Sequence, residues 1–131
     1  MSASAEMIEA AEALRTNGYE VTVPHGAAEY ASGERAPETI HESTENKRNG
    51  DLIRAYYDEI KSADGVLLMN VPKNGVDGYI GGNTFLEFAF AHVLDKAVYL
   101  MYPFDVTSTY ASEMAAMDAT ILDGNLSRID I

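Results

Sequence analysis

The sequence has 131 residues, the usual size of one globular domain with one hydrophobic core. Hydrophobic residues make up 47% of it, which excludes the composition of a disordered chain. Nine basic residues against 21 acidic ones give a formal net charge of −12, which opposes binding to nucleic acid polymers and to anionic membranes. With no cysteine, the chain has neither disulfides nor thiolate metal ligands.

The sequence also argues against a membrane protein, a secreted protein and a zinc protein. No apolar run approaches the roughly 20 residues that cross a bilayer, and the first 15 residues, MSASAEMIEAAEALR, lack the apolar core of a signal peptide. His25, His41 and His92 have no metal-ligand spacing. We therefore expect a soluble, cytoplasmic protein with no metal or redox cofactor. Its acidic, lysine-poor composition aids solubility and equally suits a salt-rich cytoplasm.

Alternating helix and strand patterns predict a single α/β domain over residues 1–131. The helices are expected at 4–17, 51–62, 84–94 and 110–117, and the strands at 19–24, 65–70, 97–102 and 119–122. The polar, aperiodic residues 25–46 are expected to form a functional or disordered loop. The runs GVLLMN and AVYLMY are typical of strands buried on both faces, so the strands are expected to form a mostly parallel sheet with helices on both sides.

The segment GYIGGNTFLE at 78–87 carries the residues best suited to bind a ligand. It follows the strand 65–70, and in parallel sheets ligands bind beyond the carboxyl ends of the strands. Paired glycines let the backbone approach a ligand, and the start of a helix offers unpaired N–H groups to a sugar or phosphate. The predicted substrate-binding residues are Asn70, Asp77, Gly81, Gly82, Asn83 and Thr84.

Glu87 is the candidate catalytic residue. It is expected near the start of the helix that follows the glycines, where its carboxylate could act as a nucleophile in breaking a glycosidic bond. A structural alternative is open, because Thr84-x-x-Glu87 also matches a capping box that satisfies helix-end amides. Gly81-Gly82 could likewise serve only as a tight strand-to-helix turn.

Four features occur in a fixed order between Ala63 and Leu100: an Ala-Asp pair before a buried strand, a glycine-containing loop, a Glu near the next helix start, and a Lys-x-Val strand. They are Ala63-Asp64, Gly81-Gly82, Glu87 and Lys96-Ala97-Val98. This order resembles the core motif of the nucleoside 2-deoxyribosyltransferase family and the related deoxynucleotide N-glycosidases. The resemblance implies a small three-layer flavodoxin- or Rossmann-like domain, with Glu87 as the nucleophile that takes up the 2-deoxyribosyl group.

Two departures from the family pattern affect what the resemblance implies. Family members open with a strand and a small-residue loop, whereas this sequence opens with a predicted helix, so either the sheet lacks that first strand or the sequence as given begins after it. The family commonly has an acidic residue eight positions before the aspartate of the Ala-Asp pair. That position is Tyr56 here, and Asp58 follows two residues later on a different helical face.

The resulting expectation is an N-glycosidase or 2-deoxyribosyltransferase-like enzyme that acts on a nucleoside or nucleotide and forms a homodimer or larger homo-oligomer. The alternatives are a non-catalytic nucleotide- or ribose-phosphate-binding domain and a purely structural subunit. In the family, a neighbouring subunit completes the site, so Glu113, Met117 and Asn125 are weaker candidates. Phe85, Phe88 and Phe90 are expected to supply packing.

Overall fold

A computed structural model describes residues 4–23 and 51–131 of the chain. The chain divides into two compact units, Met1–Ser43 and Thr44–Ile131, which are described separately. The predicted loop at 25–46, with His25 and His41, lies outside the described residues. The assignment of residues 1–131 to one domain stays a prediction.

The described part of the first unit is the helix α1 (Ser4–Thr16) and the segment after it. Ala10, Ala11 and Leu14 are buried, as the apolar spacing predicts. Gly18 follows the helix and terminates it, since its positive φ of 95° lets the Tyr19 amide donate to the Leu14 carbonyl at 3.1 Å. Residues 19–23 form no strand, so the strand predicted there is wrong. Alternating β-formers give a strand only when a partner strand pairs with them.

The second unit alternates helices and strands. Its elements are α2 (Leu52–Ser62), β1 (Gly65–Leu68), α3 (Gly82–Val93), β2 (Ala97–Leu100), α4 (Ala111–Ala116), β3 (Thr120–Ile121) and a 3-10 turn (Leu126–Arg128). The strands lie in the order β1-β2-β3 and are all parallel, with Val66 opposite Val98 and Tyr99 opposite Thr120. Helical connections between parallel neighbours confirm the predicted α/β class, and the architecture is consistent with a small flavodoxin- or Rossmann-like domain.

The core of this unit lies between the sheet and its helices. Phe88 and Ala91 of α3 are completely buried against Leu68 and Leu100 of the two longer strands, with Met114 from α4 in the same cluster. One face of α3 is therefore fixed on the sheet, and the helix cannot rotate without exposing Phe88. Burying a Phe or Leu side chain contributes about 2 kcal/mol, so this cluster holds α3 firmly.

Aromatic contacts fix the helices beside the sheet, as expected for the three phenylalanines. The rings of Tyr57 on α2 and Phe90 on α3 meet edge to face, with centroids 5.4 Å apart. Phe85 at the start of α3 stacks on Tyr110, just before α4, at 4.8 Å. Such pairs contribute about 1 kcal/mol beyond the burial of their area. None of the described helices is both long and apolar enough to cross a membrane.

Candidate active site

The predicted ligand-binding residues cluster around two loops at the carboxyl edge of the sheet. Because β1 and β2 are parallel neighbours, the loop after Leu68 and the loop after Leu100 leave the sheet on the same side. The first loop leads directly into α3, so the start of that helix lies at this edge. In open parallel sheets this edge is where ligands bind.

The helix α3 begins two residues earlier than predicted, and this removes the capping-box alternative. Gly81 is the N-cap, no side chain caps the helix, and the Phe85 amide donates to the Gly81 carbonyl at 2.9 Å. A capping box needs Thr84 at the N-cap position. Thr84 instead lies within the first turn, so Glu87 is free of the reciprocal role that a capping box would give it.

The two glycines at the start of α3 have different surroundings. Neither has a positive φ, so the backbone at these two positions is not in the left-handed region that favours glycine. At Gly81 a Cβ atom would lie 3.3 Å from the ring of Tyr79, so this glycine lets the ring pack against the backbone. At Gly82 no heavy atom would lie within 4 Å of a Cβ atom. The first helical residue therefore faces open space, which leaves room for a ligand beside the unpaired amides.

Asn83, Thr84 and Glu87 share one face of α3, since residues three and four apart are neighbours on a helix. Asn83 is exposed, whereas Thr84 and Glu87 are half-buried. Long side chains on a helix tend to lean towards its N-terminus, a tendency that favours placement of the Glu87 carboxyl group beside the turn that contains Asn83 and Thr84. The predicted nucleophile and two of the predicted sugar-binding residues therefore lie on the same face of α3.

The environment of Glu87 is unusual for a surface glutamate. Burial, together with a smaller effect of the Glu59 charge, raises the pKa of Glu87 from 4.5 to about 7. Within the described residues, no hydrogen bond and no ion pair reaches its carboxyl group. Desolvation without compensation is costly for a carboxylate, and such sites are common where a carboxyl group has a chemical role.

Glu59 is a site residue that the sequence reasoning missed. It lies on α2 one turn beyond Tyr56, so it occupies the same face as the residue at the family's acidic position. Asp58 is exposed and does not contribute to the raised pKa of Glu87. The edge-to-face contact of Tyr57 with Phe90 fixes the two helices, which keeps the Glu59 charge close to Glu87. Glu59 could have been found from the helical spacing of α2, because it flanks the apolar stripe that ends at Ile60.

Asn70 was predicted to bind substrate, but the structure also gives it a structural role. Its side chain is completely buried. The amide of Tyr102 donates to Asn70 Oδ1 at 2.9 Å, and Asn70 Nδ2 donates to the carbonyl of Tyr102. Both ends of the Asn70 amide are therefore occupied by the backbone of the neighbouring loop. Contact of this residue with a substrate stays a prediction, and its demonstrated partner is Tyr102.

The remaining residues of the first loop are more open. Asp77 is exposed, as expected for a residue on the rim of a site. The Lys73 ammonium lies 5.5 Å from the centroid of the Tyr79 ring, a cation–π distance. The sequence reasoning also missed Gly78, which has a φ of 71° and packs against the backbone of Pro103. Only a structure shows which loop approaches a glycine this closely.

The residues proposed to complete a neighbouring site have mixed surroundings. Glu113 is exposed, and Met117 packs against the hydrophobic core of its own chain. The Asn125 side chain accepts a hydrogen bond from the Ser127 amide at 3.1 Å. Their contribution to another subunit stays a prediction.

The acidic and histidine residues in the described ranges form no group of three or more that could hold a metal ion. Comparison of the chain with protein-family models, with curated proteins and with solved structures finds no match. A half-buried carboxyl group beside an open helix start and a second carboxylate can serve as a nucleophile or transfer a proton.

Proposed function

We propose that this protein is a nucleoside or nucleotide N-glycosidase, or a 2-deoxyribosyltransferase-like enzyme, with Glu87 as its nucleophile. The observation that carries the proposal is the state of Glu87: it is half-buried, its pKa is raised to about 7, and no described residue pairs with it. A purely structural glutamate at such a position would be stabilised by helix-end amides or by a basic residue. The order of features around Glu87 resembles that of the nucleoside 2-deoxyribosyltransferase family and adds support.

The reaction follows from the chemistry of a carboxylate at an anomeric carbon. One Glu87 carboxylate oxygen attacks C1′ of the sugar, while the bond from C1′ to the base nitrogen breaks and its electron pair leaves with the base. The departing base takes up a proton from solvent. Water, or a second base, then attacks C1′, releases its proton to solvent and breaks the glycosyl ester, which restores the Glu87 carboxylate. Hydrolysis and transfer differ only in this second acceptor.

The carboxylates of Glu87 and Glu59 repel each other in the free protein but both stabilise the transition state of the reaction. In the free protein, burial and the Glu59 charge both disfavour ionised Glu87. As the bond to the base breaks, positive charge develops on the sugar ring, and the same two carboxylates then attract it. An interaction that becomes favourable only in the transition state lowers the barrier, whereas one that binds substrate equally well does not.

The substrate proposed for this site is a small molecule rather than a polymer. The net charge of −12 opposes polyanions over the whole surface. At the helix start, the N–H donors are the unpaired backbone amides, beside which Gly82 leaves open space, and the exposed Asn83 side chain. These donors cover only a small area. A sugar hydroxyl or a single phosphate fits such a set of donors.

The experiment is release of free base from a panel of nucleosides and nucleotides. Wild type is expected to release base from at least one of them, and Glu87→Gln is expected to lose this activity by orders of magnitude, since it keeps the shape and loses the nucleophile. Glu9→Gln is the matched control, because Glu9 is exposed on α1 and its replacement removes the same charge. Equal rates in wild type and Glu87→Gln would overturn the proposal. An inert protein whose melting temperature rises with one ligand would instead identify a non-catalytic binding domain.

A further inference from the structure

Two contacts fasten the loop before α3 to the loop after β2. We name residues 71–81 the substrate loop and residues 102–105 the β2 segment. The first contact is the pair of hydrogen bonds between the buried side chain of Asn70 and the backbone N–H and C=O of Tyr102. The second is at Gly78, where a Cβ atom would overlap the Pro103 carbonyl and where the Asp105 amide donates to the Gly78 carbonyl at 3.3 Å.

The two contacts hold the substrate loop near both of its ends. Asn70 immediately precedes the loop, and Gly78 lies three residues before the N-cap of α3. The β2 segment is itself constrained, because the Asp105 carboxylate accepts bonds from the Thr107 amide at 2.9 Å and from its hydroxyl at 2.6 Å. The substrate loop is therefore attached to a segment that already has a fixed shape.

The end of the substrate loop forms one side of the candidate site. Ile80 is buried in the core, and the ring of Tyr79 packs against Gly81, the N-cap of the helix that carries Glu87. A shift of the loop would move the backbone beside Gly82 relative to the Glu87 carboxyl group. Displacements of about 1 Å at a reacting centre can lower a rate by about 100-fold.

We propose that Asn70 and Gly78 are positioning residues, which hold the substrate loop against the start of α3 so that a bound sugar is placed at the Glu87 carboxyl group. This inference rests on the proposed function. It assigns Asn70 a role through Tyr102 rather than through contact with the substrate. It also explains why a fully buried amide lies at the edge where ligands are expected, since buried polar side chains are retained when all their bonds are satisfied.

The chain offers a matched control for each contact. Tyr99→Phe removes a similar bridge, because the Tyr99 hydroxyl donates to the Asp130 carbonyl at 3.3 Å and accepts from the Asp130 amide at 3.2 Å. Gly18→Ala, outside the substrate loop, places a methyl group at a φ of 95°, in the same left-handed region as the 71° of Gly78, but meets no atom within 4 Å. The controls therefore reproduce the loss of hydrogen bonds and the backbone strain without releasing the substrate loop.

If wild type releases base, the rate of base release in the variants tests the positioning role. Asn70→Ala and Gly78→Ala are each expected to lower kcat by about tenfold or more. Tyr99→Phe and Gly18→Ala are expected to stay within about threefold of wild type, although thermal unfolding shows comparable destabilisation. Equal effects of the two loop substitutions, Asn70→Ala and Gly78→Ala, and of their controls would overturn the inference. Should Asn70→Ala fail to fold, the comparison of Gly78→Ala with Gly18→Ala tests the inference in the same way.

Where wild type is inert, the proposed function fails and an NMR titration of the Glu87 carboxyl group decides instead. Release of the substrate loop is expected to let water reach Glu87, so that its pKa falls from about 7 towards 4.5 in Asn70→Ala and Gly78→Ala. The pKa is expected to stay near 7 in the two controls. An unchanged pKa of Glu87 in both Asn70→Ala and Gly78→Ala would overturn the positioning role, because the loop would then not shield that group.

Discussion

The charge of Glu59 on α2 raises the pKa of Glu87 on α3, second only to the effect of burial. The two helices are packed through the edge-to-face contact of Tyr57 and Phe90, so the carboxylates cannot easily move apart. Within the described residues, no ion pair offsets either charge. A folded protein that tolerates this repulsion gives up stability at a site, which is a pattern associated with function.

Glu87→Gln is expected to stabilise the protein at alkaline pH and to have little effect at acid pH. The pKa of Glu87 is about 7 in the folded protein and 4.5 in the unfolded chain. The folded state therefore keeps its full stability below pH 4.5 and loses part of it as the pH rises through 7. The loss is at most about 3 kcal/mol, and a neutral Gln avoids it. Urea unfolding at pH 5 and pH 8 measures both differences.

The exposed Glu9→Gln on α1 is the control for the removal of one negative charge. Its effect on unfolding is expected to be nearly the same at the two pH values. A Glu87→Gln variant that gains no stability between pH 5 and pH 8 would show that Glu87 does not titrate near neutrality.

Glu59→Gln is expected to lower the pKa of Glu87 without returning it to 4.5. The substitution removes the repulsion, whereas burial, the larger cause of the raised pKa, remains. Asp58→Asn is the matched control, since Asp58 is the adjacent carboxylate on the same helix and is exposed. The measurement is the acid limb of the pH–rate profile, or an NMR titration of Glu87. An equal effect of the two substitutions would mean that overall charge, rather than the position of Glu59, affects Glu87.

Thr84→Ala is expected to change stability by less than about 0.5 kcal/mol. Loss of a capping side chain costs about 1 kcal/mol, but the N-cap of α3 is Gly81 and no side chain caps this helix. Asn125→Ala is the comparison, because the Asn125 side chain caps the 3-10 turn by accepting from the Ser127 amide. Thermal unfolding of both variants tests this. A larger loss for Thr84→Ala than for Asn125→Ala would restore the capping-box interpretation.

Added salt is expected to raise the melting temperature. A net charge of −12 repels itself in the folded state, and the Debye length falls from about 14 Å at 0.05 M to about 3 Å at 1 M salt. Thermal unfolding in a series of KCl concentrations measures the effect. A melting temperature that falls or stays constant over this range would show that self-repulsion does not limit the stability.

We also expect a homodimer or larger homo-oligomer in the presence of salt. Val106 and Tyr110 are 78% and 44% exposed on the segment between β2 and α4, so this segment offers apolar side chains that a second copy of the chain would cover. Light scattering at micromolar concentration and 1 M KCl measures the assembly. The high salt matters because charge repulsion alone could separate the copies. A monomer under these conditions would contradict the expectation.

The sequence by itself determined the elements whose signal is local. The apolar spacing in α1, α2 and α3 and the continuous apolar runs of β1 and β2 predict the type and order of these elements, because periodicity shows which face can be buried. Connection by helices then requires parallel pairing of β1 with β2, and the register of Val66 with Val98 confirms it. The position of Glu87 beside the carboxyl edge follows from this topology.

Tertiary structure decided what depends on residues far apart in the sequence. Residues 19–23 alternate like a strand but form none, since a strand is defined by its partner. Asn70 turns inward because the backbone of Tyr102, 32 positions later, satisfies both ends of its amide. The pKa of Glu87 depends on Glu59, which approaches only when α2 packs on α3. Local periodicity carries no information on such pairs, because the free energy of each contact arises only when the chain has folded.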